Sequence, residues 1–203
     1  MERREELAEY IARMEFQAFD QVQNEGGRAA CQDDFETFRI MRISQYLTWT
    51  EEMQEQYIRE FEENLAAGRN LIEEKYARMM ESTAPEEYAA LADRLPVCSE
   101  EQKQIVEQIV ALQVEWMEEF RQQYPHLAFA ARTIHTAEDT PWNTSYETYL
   151  RGELLTYSDT LLILYGRFVA GLAASGQNLA KLTISNTVRL YGYGSLEEAE
   201  QDS

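Results

Sequence analysis

The sequence predicts an all-α protein made of two pseudo-repeated helical halves packed as one helical-bundle-like domain. Three observations carry this. Only nine Gly and four Pro fall among 203 residues, while Glu, Gln, Ala, Leu, Met and Arg, the strong helix formers, abound. Apolar residues recur at helical spacing between recognisable caps. The chain also echoes itself. Phe35-Glu36-Thr37-Phe38 returns as Tyr146-Glu147-Thr148-Tyr149, 111 positions on (146 minus 35). Gly68-Arg69-Asn70-Leu71 returns as Gly176-Gln177-Asn178-Leu179, 108 positions on (176 minus 68), and Tyr57 and Tyr165 keep that second spacing.

The elements follow in order. Leu7, Tyr10, Ile11, Met14, Ala18 and Val22 define a first helix from about Glu5 to Gln23. Asn24-Glu25-Gly26-Gly27-Arg28 breaks it. Asp33-Asp34-Phe35-Glu36 has capping-box spacing and opens a second helix. A third runs from about Glu51 to Ala67, with Gly68 where a C-cap glycine belongs. A fourth carries Leu71, Ile72, Tyr76, Met79 and Met80. Pro85 begins a short helix that stops near Leu95-Pro96. Ser99 caps a long one that Pro125 ends, and residues 125–143 lack periodicity. A segment of that length is a lid, a binding loop or packed irregular structure. Thr144-Ser145-Tyr146-Glu147 repeats the capped start, and helices follow over about Asp159–Ser175 and Asn178–Tyr191. The first half is therefore 1–96 and the second 97–194. An acidic tail, 195–203, is expected to fray. The drop in offset from 111 to 108 puts a three-residue deletion near Thr48-Trp49-Thr50, and the first helices align loosely on Glu15-Phe16 and Glu115-Trp116.

Composition removes several functions. The net charge is −19 and the pI near 4.5. Such a field repels phosphate backbones, and no basic patch opposes it, so nucleic acid is not an expected partner. No apolar run approaches a membrane span. Cys31 and Cys98 give neither a disulfide framework nor zinc spacing. The expectation is a soluble cytoplasmic protein without a cofactor.

Several charged residues carry candidate chemistry. Glu36 and Glu147 sit where a third helical residue caps its own helix, a structural reading that outranks paired catalytic carboxylates. Glu15 and Glu115 fall on core-facing stripes and need partners, for which Arg39, Arg42 and Arg151 are available. Together these four carboxylates resemble a bundle metal site in number only, because neither His126 nor His135 follows a Glu by three. Gly26-Gly27-Arg28 before a helix suggests an anion nest, which Asp33 and Asp34 oppose. Cys31 near the same helix start is a candidate nucleophile, with His135 as a base. Tyr146, Tyr149, Tyr157, Tyr165, Trp142 and Trp116 enrich the second half in aromatics. Most are expected in the core, and a few hydroxyls beside Arg151 and Glu153 would suit a polar ligand.

The runs Gln23–Ala29, Cys31-Gln32-Asp33-Asp34, Lys75-Tyr76-Ala77-Arg78-Met79-Met80 and Glu147-Thr148-Tyr149-Leu150-Arg151-Gly152-Glu153-Leu154 resemble the bacterial domain-of-unknown-function family forty-one twenty-five, over roughly Glu6 to Leu196. The resemblance implies no established activity and no catalytic residues.

The expected role is binding of a small polar or anionic ligand in a charged cleft between the halves. The expected contacts are Asn24, Glu25, Arg28, Gln32, Asp33, Asp34, Arg39, Arg42, Arg69, Lys75, Tyr76, Glu147 and Arg151. Charge and amide groups cluster there on segments that also carry core residues. The alternatives are a metal- or cysteine-dependent hydrolase or transferase, and an acidic protein-interaction module.

Overall fold

The computed structural model describes residues 2–22, 32–129 and 131–202. Among them the regular structure is helical, in eleven α-helices with two 3-10 turns, and there is no strand. The helices are α1 (Arg3–Asp20), α2 (Phe35–Tyr46), α3 (Glu51–Ala66), α4 (Leu71–Thr83), α5 (Pro85–Leu91), α6 (Glu100–Gln123), α7 (Pro125–Phe129), α8 (Tyr146–Leu154), α9 (Asp159–Ala174), α10 (Leu179–Leu190) and α11 (Leu196–Asp202). The all-α reading is correct.

The starts of these helices follow from cap chemistry. Asp34, Thr50, Ser99, Ser145 and Ser158 each accept a backbone N–H three residues on, heading α2, α3, α6, α8 and α9. Gly68 and Gly176 have φ of +80° and +68°, the left-handed region where a side chain is strained, and they end α3 and α9.

Internal contacts divide the chain into two compact units. Unit 1 comprises Met1–Glu73 with Leu182–Leu196, and unit 2 comprises Glu74–Lys181 with Glu197–Ser203. In unit 1, α1 packs on α2 and α3, and Ile11, Ala12, Tyr46, Trp49, Met53 and Phe61 fill the core. In unit 2, α6 packs on α7, α8 and α9 around Val106, Phe120, Leu154, Leu161, Leu162 and Val169.

Three expectations need correction. The acidic tail does not fray along its length, because α11 covers Leu196–Asp202. Ala199 is buried there, Glu197 accepts the Tyr124 hydroxyl at 2.7 Å, and Glu200 accepts the amides of His126 and Leu127. Burial works against ionisation of Glu200, but those amides outweigh it and hold the carboxyl below its ordinary range. Second, the stretch 125–143, read as lacking periodicity, is not all irregular. α7 and a 3-10 turn at Thr136–Glu138 lie within it, and Asp139 ties the segment down. Its carboxylate accepts Ser82 Oγ and Thr148 Oγ1 at 2.5 Å each and the Ser145 amide at 2.6 Å. Third, Glu115 is exposed rather than inward. Of the aromatics singled out in the second half, Trp142 lies outside the core, 94% exposed.

Candidate functional site

The long first helix of each unit buries a polar side chain, Glu15 on α1 and Gln113 on α6, among others. In unit 1, Glu15 on α1 is wholly buried. Arg42 on α2 donates to it through Nε at 2.6 Å and Nη2 at 2.7 Å, and the hydroxyls of Tyr46 and Tyr57 donate at 2.7 and 2.6 Å. Such a bidentate pair with added hydroxyl donors satisfies a desolvated carboxylate. It is closed, so Arg42 is a structural partner of Glu15.

The other unit 1 residues expected at the site are also engaged locally. Arg39 donates to Glu9 at 2.9 Å and to Glu36 at 3.2 Å. Glu36 is therefore an exposed ion-pair partner and not part of a capping box. Asp34, rather than Asp33, caps α2. Gln32 donates to the carbonyls of Phe19 and Val22, closing the end of α1. Arg69 donates to Asn64 Oδ1 at 3.0 Å. Asn24, Glu25, Arg28 and Cys31 lie outside the described residues.

In unit 2 the charged groups gather on α8 and its neighbours. α4 crosses α8 closely at Gly152, where a Cβ would sit 3.0 Å from Met79 Cγ and 3.1 Å from the Lys75 carbonyl oxygen. This contact brings Lys75 against α8. Its Nζ is 2.8 Å from the Tyr149 hydroxyl and 3.5 Å from Glu153 Oε2. Tyr157 donates to Glu153 Oε1 at 3.1 Å. Lys75 is 3% exposed and Glu153 4%, while Tyr149 is half-buried. Lys75 Nζ also lies 4.3 Å from the Tyr149 ring centroid and 5.2 Å from that of Tyr76. The guanidinium of Arg132, an exposed residue, lies 4.9 Å from the Tyr149 ring.

An ammonium carries no lone pair, so Lys75 can only donate. The Tyr149 oxygen is then the acceptor, and its own O–H points elsewhere. Lys75 is that hydroxyl's hydrogen-bond partner among the described residues. A half-buried donor, polarised from behind by an ammonium and lying beside a guanidinium, is suited to a carboxylate or phosphate oxygen.

A second group flanks it on α8. Arg151 donates to Glu107 at 2.6 Å, to Glu147 at 2.8 Å and to Thr136 Oγ1 at 3.1 Å. The hydrogen bond that Arg151 donates to Glu107 leads in raising the Arg151 pKa, against the opposing effect of burial. Glu147 also accepts the Thr136 amide at 2.8 Å. Burial tends to protonate Glu147, but Arg151 and that amide prevail and keep its pKa low. Glu147 is thus not a cap of its own helix, because it holds the 131–145 segment instead. His135 Nε2 is 2.7 Å from Glu118 Oε1 on α6. Among the described residues no three His, Cys, Asp or Glu side chains form a group able to hold a metal.

The structure thus brings Lys75 to the helix that carries Glu147 and Arg151, with the Tyr76 ring 5.2 Å from the Lys75 Nζ. Tyr149 and Glu153 were legible only as tyrosine hydroxyls near a glutamate. Arg132, Asp139 and Gly152 had no individual sequence signal, since their roles depend on what α4 and the 131–145 segment pack against.

The chain belongs to the family of proteins of unknown function DUF4125, whose model matches residues 5–201. No curated protein and no solved structure matches it. Among the described residues no helix is long and apolar enough to cross a membrane.

Proposed function

We propose that the protein binds a small polar or anionic ligand at the α4–α8 seam, through the Tyr149 hydroxyl and the Arg132 guanidinium. The seam joins the two halves of the sequence, since α4 comes from the first and α8 from the second. The observation that supports this reading is the polarity of the Lys75–Tyr149 hydrogen bond, which leaves the phenolic proton available to an outside acceptor. Lys75 and Glu153 neutralise one another behind the phenol. Arg132 then supplies the charge that favours a carboxylate or phosphate. Glu147 and Arg151 fix the 131–145 segment that carries Arg132, and so act through positioning rather than contact.

The reading is tested by a thermal-shift screen of small carboxylates and phosphates on the wild type, Tyr149→Phe and Arg132→Ala. A ligand at one hundred times its dissociation constant stabilises the native state by about 2.7 kcal/mol. Hits should lose most of that shift in Tyr149→Phe and part of it in Arg132→Ala. Hits that shift both variants as strongly as the wild type would place the ligand elsewhere.

A further inference from the structure

The two units can be compared position by position. The buried residues Ala8, Ile11, Ala12, Glu15, Ala18, Phe19 and Val22 are matched by buried Val106, Ile109, Val110, Gln113, Trp116, Met117 and Phe120, each 98 positions later (106 minus 8). Met53, Gln54, Tyr57 and Phe61 on α3 are matched by Leu161, Leu162, Tyr165 and Val169 on α9, each 108 later (161 minus 53). The polar contacts keep the same register. Tyr57 donates to Glu15 at 2.6 Å, and Tyr165 accepts from Gln113 at 2.9 Å. Asn70 Nδ2 donates to the Ala18 carbonyl and Asn178 Nδ2 to that of Trp116. Thr48 Oγ1 donates to the Gln45 carbonyl and Thr156 Oγ1 to that of Glu153, again 108 apart (156 minus 48). That last pair moves the three-residue deletion into the second helix itself, where α2 has 12 residues and α8 has 9. A chance likeness between amphipathic helices would align apolar stripes, but not three sets of side-chain hydrogen bonds.

The fourth helices break the pattern. Most of α4 groups with unit 2, and α10 from Leu182 onward groups with unit 1. Lys75 on α4 reaches Tyr149, while Asn186 on α10 donates to the Ser44 carbonyl at 3.0 Å.

From these registers we infer that the chain is a tandem duplication of one four-helix segment whose fourth helices have been exchanged between the copies, leaving a single copy of the α4–α8 seam. The last clause rests on the ligand-binding reading above. In unit 1 the position of Tyr149 is held by Phe38, counting from the helix start, or by Met41, counting from its end. The position of Lys75 is held by Thr183. None of these supplies a polarised phenol.

Hydrogen exchange on the native full-length chain tests the exchange without any ligand, so it can fail independently of the site. Two matched variants, Tyr57→Phe and Tyr165→Phe, each remove one hydroxyl at the equivalent position, a change mild enough to leave a folded chain. Tyr57→Phe should speed exchange about fivefold in α1 to α3 and, with them, in residues 182–190. Tyr165→Phe should do the same in α6, α8 and α9 together with residues 74–83. Exchange of 182–190 in step with α9, of 74–83 in step with α3, or a uniform change along the whole chain in both variants would overturn the inference.

Discussion

Unit 1 and unit 2 solve the same burial problem with opposite chemistry. At one position of the first helix, unit 1 buries a carboxylate, Glu15, and unit 2 a neutral amide, Gln113. Around Glu15 the protein gathers a guanidinium and two phenols. Around Gln113 it needs only Tyr165 and Tyr146, which hydrogen-bond to the amide nitrogen and oxygen at 2.9 and 3.0 Å. Burial raises the pKa of both those tyrosines, so they remain neutral partners. Unit 1 therefore spends its arginine internally. Unit 2 buries Lys75 of α4 against Glu153 of α8, beside a half-buried phenol. Charge at the first position is closed on itself, and charge at the second lies behind the Tyr149 hydroxyl, the donor proposed above for a ligand.

The largest expected difference lies in the cores. Glu15→Ala leaves Arg42 buried without its carboxylate and should cost about 3–5 kcal/mol. Gln113→Ala removes the hydrogen bonds to two neutral hydroxyls and should cost about 1–3 kcal/mol. Urea denaturation of the two variants measures both, and equal losses would break the contrast.

Gly152→Val comes next. The added carbons meet the Lys75 carbonyl, a backbone atom that cannot swing aside, so α4 and α8 must separate. A loss of about 1–3 kcal/mol is expected, together with a weakened response to any ligand that uses Tyr149. An unchanged melting temperature would show that the helix crossing tolerates a side chain.

The acid limb of the stability curve sharpens the comparison further. Despite opposing burial, hydrogen bonds from Ser82, Thr148 and Ser145 lower the Asp139 pKa, and those from Arg151 and Thr136 lower that of Glu147. Depressed carboxyl values stabilise the fold fully above the ordinary values, 3.8 for Asp139 and 4.5 for Glu147. That stability is lost as pH falls from there through the lower folded-state values. Asp139→Asn should flatten this limb, as read from melting temperatures between pH 6 and the acid transition (~pH 3). The smallest effect belongs to surface pairs such as Arg3–Glu55, where Glu55→Gln should leave the melting temperature unmoved.

Much of the fold was legible because helices announce themselves locally. The cap at Ser99 and the glycines at 68 and 176 need only neighbouring residues to act, and each lies where the sequence placed it. The inward Glu15 was also legible, because a carboxylate on an apolar stripe demands a partner, and Arg42 supplies it. Glu115 misled for a related reason. It is flanked by Leu112 and Trp116, but the buried stripe of α6 runs through Gln113, Trp116 and Met117 and leaves position 115 outside. The Lys75–Tyr149 contact was not readable from either segment alone, since 74 residues separate its partners. It depends on Gly152 letting two helices approach, and a lone glycine in a helical pattern does not say which helix it admits.

The contrast between a closed charged core in unit 1 and an available phenol in unit 2 is tested most directly by matched hydroxyl deletions. Melting temperatures of the wild type, Tyr46→Phe and Tyr149→Phe should be compared with and without saturating concentrations of the best carboxylate or phosphate hit. The expected result is a ligand-induced rise in the wild type and in Tyr46→Phe, on a lower baseline for the latter, and little or no rise in Tyr149→Phe. An undiminished rise in Tyr149→Phe, or its loss in Tyr46→Phe, would contradict the assignment of the ligand to unit 2.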